Sequence, residues 1–453
     1  MYELIWNLAS FVIALGILVT VHEYGHFWVA RKNGVKVERF SVGFGKALWR
    51  KVGQDGTEYV VAMIPLGGYV KMLDERVDQV SAKDKDKTFN GKSVYQRIAI
   101  IAAGPFANFA FAIFAFYLMF LIGVPSIKPI VGEIVPQSIA AQAKLESNSE
   151  IVEVAGQTVR DWQDVNLALI GEIGSKSIIV KTKSADTQYV KTHHFDTKNW
   201  QFSPDKESAL TSLGLYSFRP KVHNELAVIG KDSPAEKGGL AVGDKLIAIN
   251  DDFLIAGWAD FAKEIKQYPD QLVNITVERE GKQLVLQVKP KGIDSNGKLI
   301  GYLGVSPKAD DWPAEYKIDL SYDVFSALPE SIARTWNLIT LSFDMIGKLI
   351  TGDVSVKNLS GPIAIAQGAG DSAGFGFVYF LGFLALISIN LGIINLLPLP
   401  VLDGGHLLYY VIELLTGKPV PENIQEAGFK FGGLALLALM AIALFNDFSR
   451  VLG

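Results

Sequence analysis

The chain has 453 residues, 49% of them hydrophobic and 20% charged, with a formal net charge of −4 and no cysteine. That length suits about two to four folded units. The acidic balance, with no basic tract interleaved with aromatics, argues against a nucleic-acid partner, and the lack of cysteine excludes disulfides, thiolate metal ligands and a cysteine nucleophile.

The first element is an apolar run from Leu4 to Val21, interrupted only by Asn7, Ser10 and Thr20. It has no basic leading region and no small-residue cleavage site, so it reads as a transmembrane helix (1–30) and not as a removable signal. It ends in His22-Glu23-Tyr24-Gly25-His26. On a helix, HExxH sets two imidazoles about 40° apart on one face, with Cβ atoms roughly 6 Å from each other. Such a pair suits two ligands of a tetrahedral Zn²⁺, and the intervening glutamate can take a proton from water. An exposed helical histidine pair is the bland alternative, but ionisable groups at membrane depth are costly and usually functional.

Residues 31–97 form a β-rich loop. Val35 to Val70 alternates and is punctuated by Gly43, Gly45, Gly53, Gly56, Gly67 and Gly68, with Gln54-Asp55 as a hairpin turn. It is either a cytoplasmic hairpin or a re-entrant one that dips towards the active site and pairs its edge with an extended substrate. Ala82 to Asn90 is a solvated linker of mixed charge. Ile98 to Val124, without a single charge, is the second span (98–124) and contains Gly104-Pro105-Phe106-Ala107-Asn108.

Between 127 and 309 one pattern occurs twice, about 95 residues apart. The second copy runs from Ser233 to Asn250. The first, Ser138 to Ala155, keeps Ala140, Leu145, Ile151 and Val154 in register but has Asn148-Ser149 in place of Gly243-Asp244. Trp162 and Trp258 follow at matching distances, and each copy closes on Leu-Gly-aliphatic, at Leu213-Gly214-Leu215 and Leu303-Gly304-Val305. The pattern resembles bacterial PDZ domains, circularly permuted so that the peptide-binding strand comes last. The two modules (125–220 and 221–309) would then capture an extended peptide or a carboxyl terminus, or serve only as spacers.

Residues 310–372, with Leu320 to Ile332 and Thr335 to Ile350, read as amphipathic helices at a lipid interface. Phe375 to Leu397, broken by Ser388, Asn390 and Asn395, is the third span, within 373–406. Gly432 to Phe445, extended by Phe429 to Phe431, is the fourth, within 407–453. Asn390 and Asn395 share one side of span three, where their amides would hold an unwound substrate backbone; Asn390 would alternatively bond a neighbouring helix.

The loop between spans one and two carries about fourteen lysines and arginines and Met1 to Trp6 none, which puts that loop in the cytoplasm and the termini and repeat outside. HEYGH and the Asn395-Leu396-Leu397-Pro398-Leu399-Pro400-Val401-Leu402-Asp403-Gly404 segment then lie at one depth. A catalytic zinc needs a third ligand. His193, His194 and His223 fall on the wrong side. Asp403, after the prolines and before Gly404-Gly405, is better placed than His406, although it would also serve as a helix N-cap.

HEYGH, GPFAN and NLLPLPVLDG together resemble the site-2 protease family of intramembrane zinc metalloproteases, over essentially the whole chain. The layout is similar to that of the family's sigma-E-regulating branch in bacterial envelopes. The resemblance implies a polytopic α-helical membrane protein of the inner membrane, with four transmembrane helices, two extracytoplasmic PDZ-like α+β domains and a cytoplasmic or re-entrant β-hairpin. It implies His22, His26 and Asp403 as zinc ligands and Glu23 as the catalytic residue. Asn395 matches the family's motif asparagine and Asn108 closes its GxxxN motif; with Asn390 they are the expected substrate-binding amides. The implied substrate is a single-span membrane protein such as an anti-sigma factor, or a signal-peptide remnant, cut in or near its transmembrane segment. A catalytically inactive PDZ-bearing scaffold would not need Glu23 and all three ligands, and a transporter would usually show an inverted repeat of spans, which the sequence lacks.

Overall fold

A computed structural model describes residues 2–76, 79–184, 189–201, 207–250, 253–295 and 298–452. They form two compact units, residues 1–126 with 319–447 and residues 127–318 with 448–453.

The first unit is built on helices α1 (Tyr2–Lys32), α2 (Val94–Ile122), α3 (Val324–Thr351), α4 (Pro362–Phe375), α5 (Phe377–Leu396), α6 (Asp403–Thr416) and α7 (Glu422–Leu452). Among the described residues, four of these (α1, α2, α5 and α7) are long and apolar enough to cross a membrane. Their outward leucines, isoleucines and phenylalanines are widely exposed, which lipid relieves and water does not. α1 runs on through HEYGH, because nothing stops it before Asn33-Gly34; Gly34 takes φ +70° and Val35 N–H closes on the Ala30 carbonyl at 2.9 Å. α2 starts on a capping box in which Ser93 N–H donates to Gln96 Oε1 at 3.1 Å and Gln96 N–H donates back to Ser93 Oγ at 3.4 Å.

Residues 320–350 do not divide into two helices as the sequence suggests. α3 is one helix of 28 residues, N-capped by Asp323, with no glycine or proline between Pro329 and Gly347 to interrupt it. Ala327, Ser331, Thr335 and Leu338 form its buried stripe, packed on α2 and α5, while Phe325, Leu328, Ile332 and Trp336 stay exposed. α7 also exceeds its expected limits. Near its end, buried Asp447 accepts the amides of Gly361, Ile363 and Ala364 at 2.9–3.1 Å. It thereby caps α4, whose own N-cap glycine has no side chain to do so.

The hairpin consists of β1 (Val37–Val52) and β2 (Glu58–Met72). Both strands bend, so residues 37–42 pair on one side with 68–72 and on the other with 58–61, and 58–62 pair in turn with 47–52. Gly43 makes the bend possible: it adopts φ +95°, and a Cβ there would stand 2.9 Å from the carbonyls of Ala62 and Ile64. Phe27, Phe40, Phe89, Ile100 and Tyr410 form a shared core that seats the hairpin on α1, α2 and α6.

The second unit holds two β-rich modules, each with its own core, one around Val131, Ile151, Phe195 and Leu213 and one around Leu226, Ile249, Ile275 and Leu303. The same backbone bonds recur in both. Ser138 and Ser233 each cap one turn of helix. Ala140 N–H donates to Leu213 O as Ala235 N–H does to Leu303 O, and Val135 N–H donates to Gly214 O as Gly230 N–H does to Gly304 O. Asn148 holds φ +62° where Gly243 holds φ +91°, asparagine being among the few side chains that tolerate that region.

Asp244 is fully buried. It receives Arg279 Nε at 2.7 Å and Nη2 at 2.8 Å, and the Ala241 amide at 2.8 Å. Burial pushes its carboxyl up, but the guanidinium and the amide outweigh this and hold it below the ordinary carboxylate range. A depressed folded pKa contributes stability that is present above the unfolded value, near about pH 4, and lost as pH falls through the folded one. Asp244→Ala is therefore expected to weaken this module by about 1–3 kcal/mol at neutral pH. Amide exchange of residues 245–249 in the full chain would report it, with the gap from wild type constant from about pH 5 upward and closing below about pH 4.

Candidate metal centre

α1 sets His22 and His26 one turn apart, with ring centroids 4.8 Å from each other at 82° and their Nε2 atoms 3.2 Å apart. The rings lie against α2 because both helices carry glycine at the crossing. A Cβ on Gly25 would overlap the Ala103 carbonyl, and one on Gly104 would overlap His26 Nε2 and stand 2.8 Å from His22 Cε1. At that separation the flanking turns of α2 reach both imidazoles. Ile100 O lies 2.9 Å from His26 Nδ1, and the Asn108 amide lies 3.1 Å from His22 Nδ1. Fixing Nδ1 by an outer partner leaves Nε2 as the ligand atom.

Asp403 reaches the same place through a break in the helix. α5 ends at Leu396, residues 397–402 are irregular, and α6 begins at Asp403. Gly404 and Gly405 pack so closely on the carbonyls of Leu396, Leu397 and Leu399 that any side chain would collide with backbone. Leu402, not Asp403, is the N-cap of α6, so the carboxylate does not cap the helix. It turns instead to the histidines, with Oδ2 3.1 Å from His22 Nε2 and 3.3 Å from His26 Nε2. α6 is held in place by a bidentate pair between Arg97 of α2 and Glu413, at 2.7 and 3.2 Å, and by the Arg97 guanidinium 4.9 Å from the centre of the Tyr410 ring. No local pattern announces this pair, whose members are 316 positions apart.

Among the described residues, His22, His26 and Asp403 are a group able to hold a metal ion. The chemistry fits. Asp403 Oδ2 is buried with no hydrogen-bond donor, although two ring nitrogens face it. The three atoms are 3.1–3.3 Å apart. Four ligands about 2.0–2.2 Å from one tetrahedral centre stand about 3.3–3.6 Å from each other, so the cluster lies at the short edge of that spacing, within about 0.2 Å of a zinc set with nitrogen and oxygen donors.

Glu23, 8% exposed, lies under the hairpin; a Cβ on Gly68 would stand 2.9 Å from its Cγ. His406 is outside the cluster, its ring facing Phe429 and Tyr409. His193 is bonded within the first module and His223 to Asp310 in the second. The three asparagines expected at substrate do not act alike. Asn108 is fully buried and its side chain lies on His22, because the glycine crossing brings it there. Asn390 Oδ1 accepts from Ser342 of α3 at 3.3 Å, the interhelical alternative. Asn395, just before the break, is half-buried.

Apolar spans around a buried two-nitrogen, one-oxygen cluster define a membrane protein with a candidate metal centre of hydrolase type. Residues 10–439 match peptidase family M50, and the chain belongs to that family. A protein of Yersinia pestis named protease RseP is 51% identical, with 100% of both chains covered. The regulator of sigma-E protease RseP of Escherichia coli K12 is 49% identical over the same share of each. A Vibrio cholerae protein provisionally named a zinc metalloprotease is 50% identical, again over 100% of both chains.

Asp403→Ala is expected to weaken zinc binding by more than about tenfold, since loss of even an outer-shell partner costs about 10–100-fold. His406→Ala should leave it unchanged. Metal content of the purified variants after dialysis against a chelator would decide between the two.

Proposed function

We propose that this chain is an intramembrane zinc metalloprotease that cuts single-span membrane proteins in or near their transmembrane segment, in the sigma-E branch of regulated intramembrane proteolysis. The observation that carries the reading is the meeting of His22, His26 and Asp403 beside Glu23, on helices long and apolar enough to span a membrane. The names of relatives matched over their full length, a protease RseP and a regulator of sigma-E protease, support the same activity; an anti-sigma factor is the class of substrate that fits such regulation. Neither a scaffold nor a transporter accounts for that constellation.

His22, His26 and Asp403 would hold the metal. Bound there, zinc supplies the Lewis acidity that polarises a scissile carbonyl and allows water to attack near neutral pH. Glu23 takes the proton of the attacking water at its carboxylate and passes it to the leaving amine. Its burial under the hairpin keeps that carboxylate out of bulk solvent. Asn395, at the mouth of the break, binds the unwound substrate backbone, whose amides otherwise lack partners in hydrocarbon. The excess of basic residues between α1 and α2 puts the centre towards the cytoplasm, and the termini and the two β-rich modules in the periplasm. The modules are PDZ-like in this reading, supported by their repeated Leu-Gly strands, and either capture a peptide end or screen approaching ectodomains.

Glu23→Gln should keep zinc and fold and lower cleavage of a single-span test protein by about 10²–10⁴-fold, because an amide cannot take the proton. Zinc loss with residual cleavage would overturn the role. Removing residues 127–309 should preserve hydrolysis and relax selection. A full-length substrate should be cut poorly by wild type and better by the deletion variant, whereas a form with a trimmed ectodomain should be cut by both. Equal preference for the trimmed form in both enzymes would rule out screening.

A further inference from the structure

Asn108 is fully buried, and its two amide atoms are unequally served. Nδ2 stands 3.1 Å from His22 Nδ1, while Oδ1 is buried with no partner. An orphaned carbonyl oxygen in a packed site costs about 1–3 kcal/mol, so the arrangement asks for a donor that Oδ1 does not have. His22 can supply it. If Nε2 is the ligand atom, the ring proton resides on Nδ1, and Nδ1–H donates and does not accept. An amide nitrogen facing that proton sets donor against donor. Turning the amide by 180° about its Cβ–Cγ bond exchanges its two atoms at no change in shape. Oδ1 then stands where Nδ2 was, within hydrogen-bond distance of Nδ1–H, and Nδ2 takes the unpartnered position, so what the turn removes is the opposition of two donors at the ligand ring.

We propose that Asn108 is a positioning residue for the metal centre: its side-chain carbonyl accepts the His22 Nδ1 proton, fixing the tautomer and aim of that ring. This rests on the zinc reading above. His26 has the corresponding acceptor in the Ile100 carbonyl, so the two rings are served from α2, one by backbone and one by side chain, on either side of Gly104. The asparagine is itself braced. Ser388 of α5, fully buried, donates its hydroxyl to the Asn108 backbone carbonyl at 2.9 Å. α1, α2 and α5 are thus joined by one hydrogen-bonded line that ends on a ligand, and Asn108 serves the metal without touching substrate.

The test is zinc affinity of the full chain in detergent, by competition with a chromophoric chelator, for wild type, Asn108→Leu, Asn108→Asp and His22→Ala. Leucine keeps the branched heavy-atom skeleton and removes the acceptor, and should weaken binding about 10–100-fold. Aspartate cannot donate but accepts well, and should bind zinc at least as tightly as wild type. A merely structural role would not separate the two in that order. If Asn108→Asp loses as much affinity as Asn108→Leu, or if both bind as wild type, the proposal is overturned. If Asn108→Leu fails to fold, Asn108→Asp alone decides, because an amide acting as donor predicts its loss. His22→Ala keeps the two levels apart. Full zinc affinity in that variant removes the zinc reading itself, and Asn108's role with it; loss there, with wild-type affinity at both Asn108 variants, removes only the role of Asn108.

Discussion

Everything at the centre depends on how closely α1 and α2 approach. Two histidines one turn apart are only a pair of basic side chains on a helix until something fixes their rings, and the fixing groups here are the Ile100 carbonyl and the Asn108 amide. Both are reached because Gly25 meets the Ala103 backbone and Gly104 lies directly beneath the imidazoles. A methyl group at either position would part the helices or displace a ring, since packed interiors have no free volume to absorb it. In lipid this carries extra weight. Apolar side chains gain nothing by leaving one hydrocarbon environment for another, so small residues and interhelical hydrogen bonds must hold the crossing.

The carboxylate is delivered by the opposite device, a deliberate loss of helix. Irregular backbone at membrane depth leaves polar groups without partners unless protein surrounds it. Residues 397–402 meet that condition by turning back on themselves, with Gly404 and Gly405 pressed onto the carbonyls of the preceding turn. The Arg97–Glu413 pair then fixes the far end of α6 on α2. Asp403 is held from both sides of the break, and its Oδ2 is left facing two ring nitrogens and no donor. Such an arrangement of lone pairs is unfavourable by itself and becomes favourable with a cation between them.

The two β-rich modules solve their folding problem locally and in the same way, by a serine-capped turn and a left-handed residue ahead of the central strand. Where the second module uses glycine and a buried aspartate, the first uses asparagine and Ser149, whose hydroxyl donates to the Glu146 carbonyl at 2.6 Å. The polar bridge survives with donor and acceptor exchanged. That is why the first copy looks degraded in sequence while its backbone keeps the same turn.

Whatever depends on neighbours along the chain was legible in the residues alone. Apolar length set the four spans, HExxH on a helix set the histidine pair, and Pro398, Pro400 and the Gly404-Gly405 doublet set the break, because propensity, periodicity and the absence of a proline N–H act within a few residues. What depends on partners far away was settled only by how the helices pack. Asp403 and not His406 stands beside the histidines, because α6 starts at Asp403 and turns His406 towards Phe429. Asn108 faces His22 across 86 positions, Asn390 faces Ser342 across 48, and Asp447 caps a helix 84 positions before it. α3 stayed whole because its buried stripe had α2 and α5 to lie on. An amide or a carboxylate in an apolar run announces only that it needs a partner. Which partner it finds is settled when the helices close, since hydrogen bonds in a dry interior form with whatever the packing brings within about 3 Å.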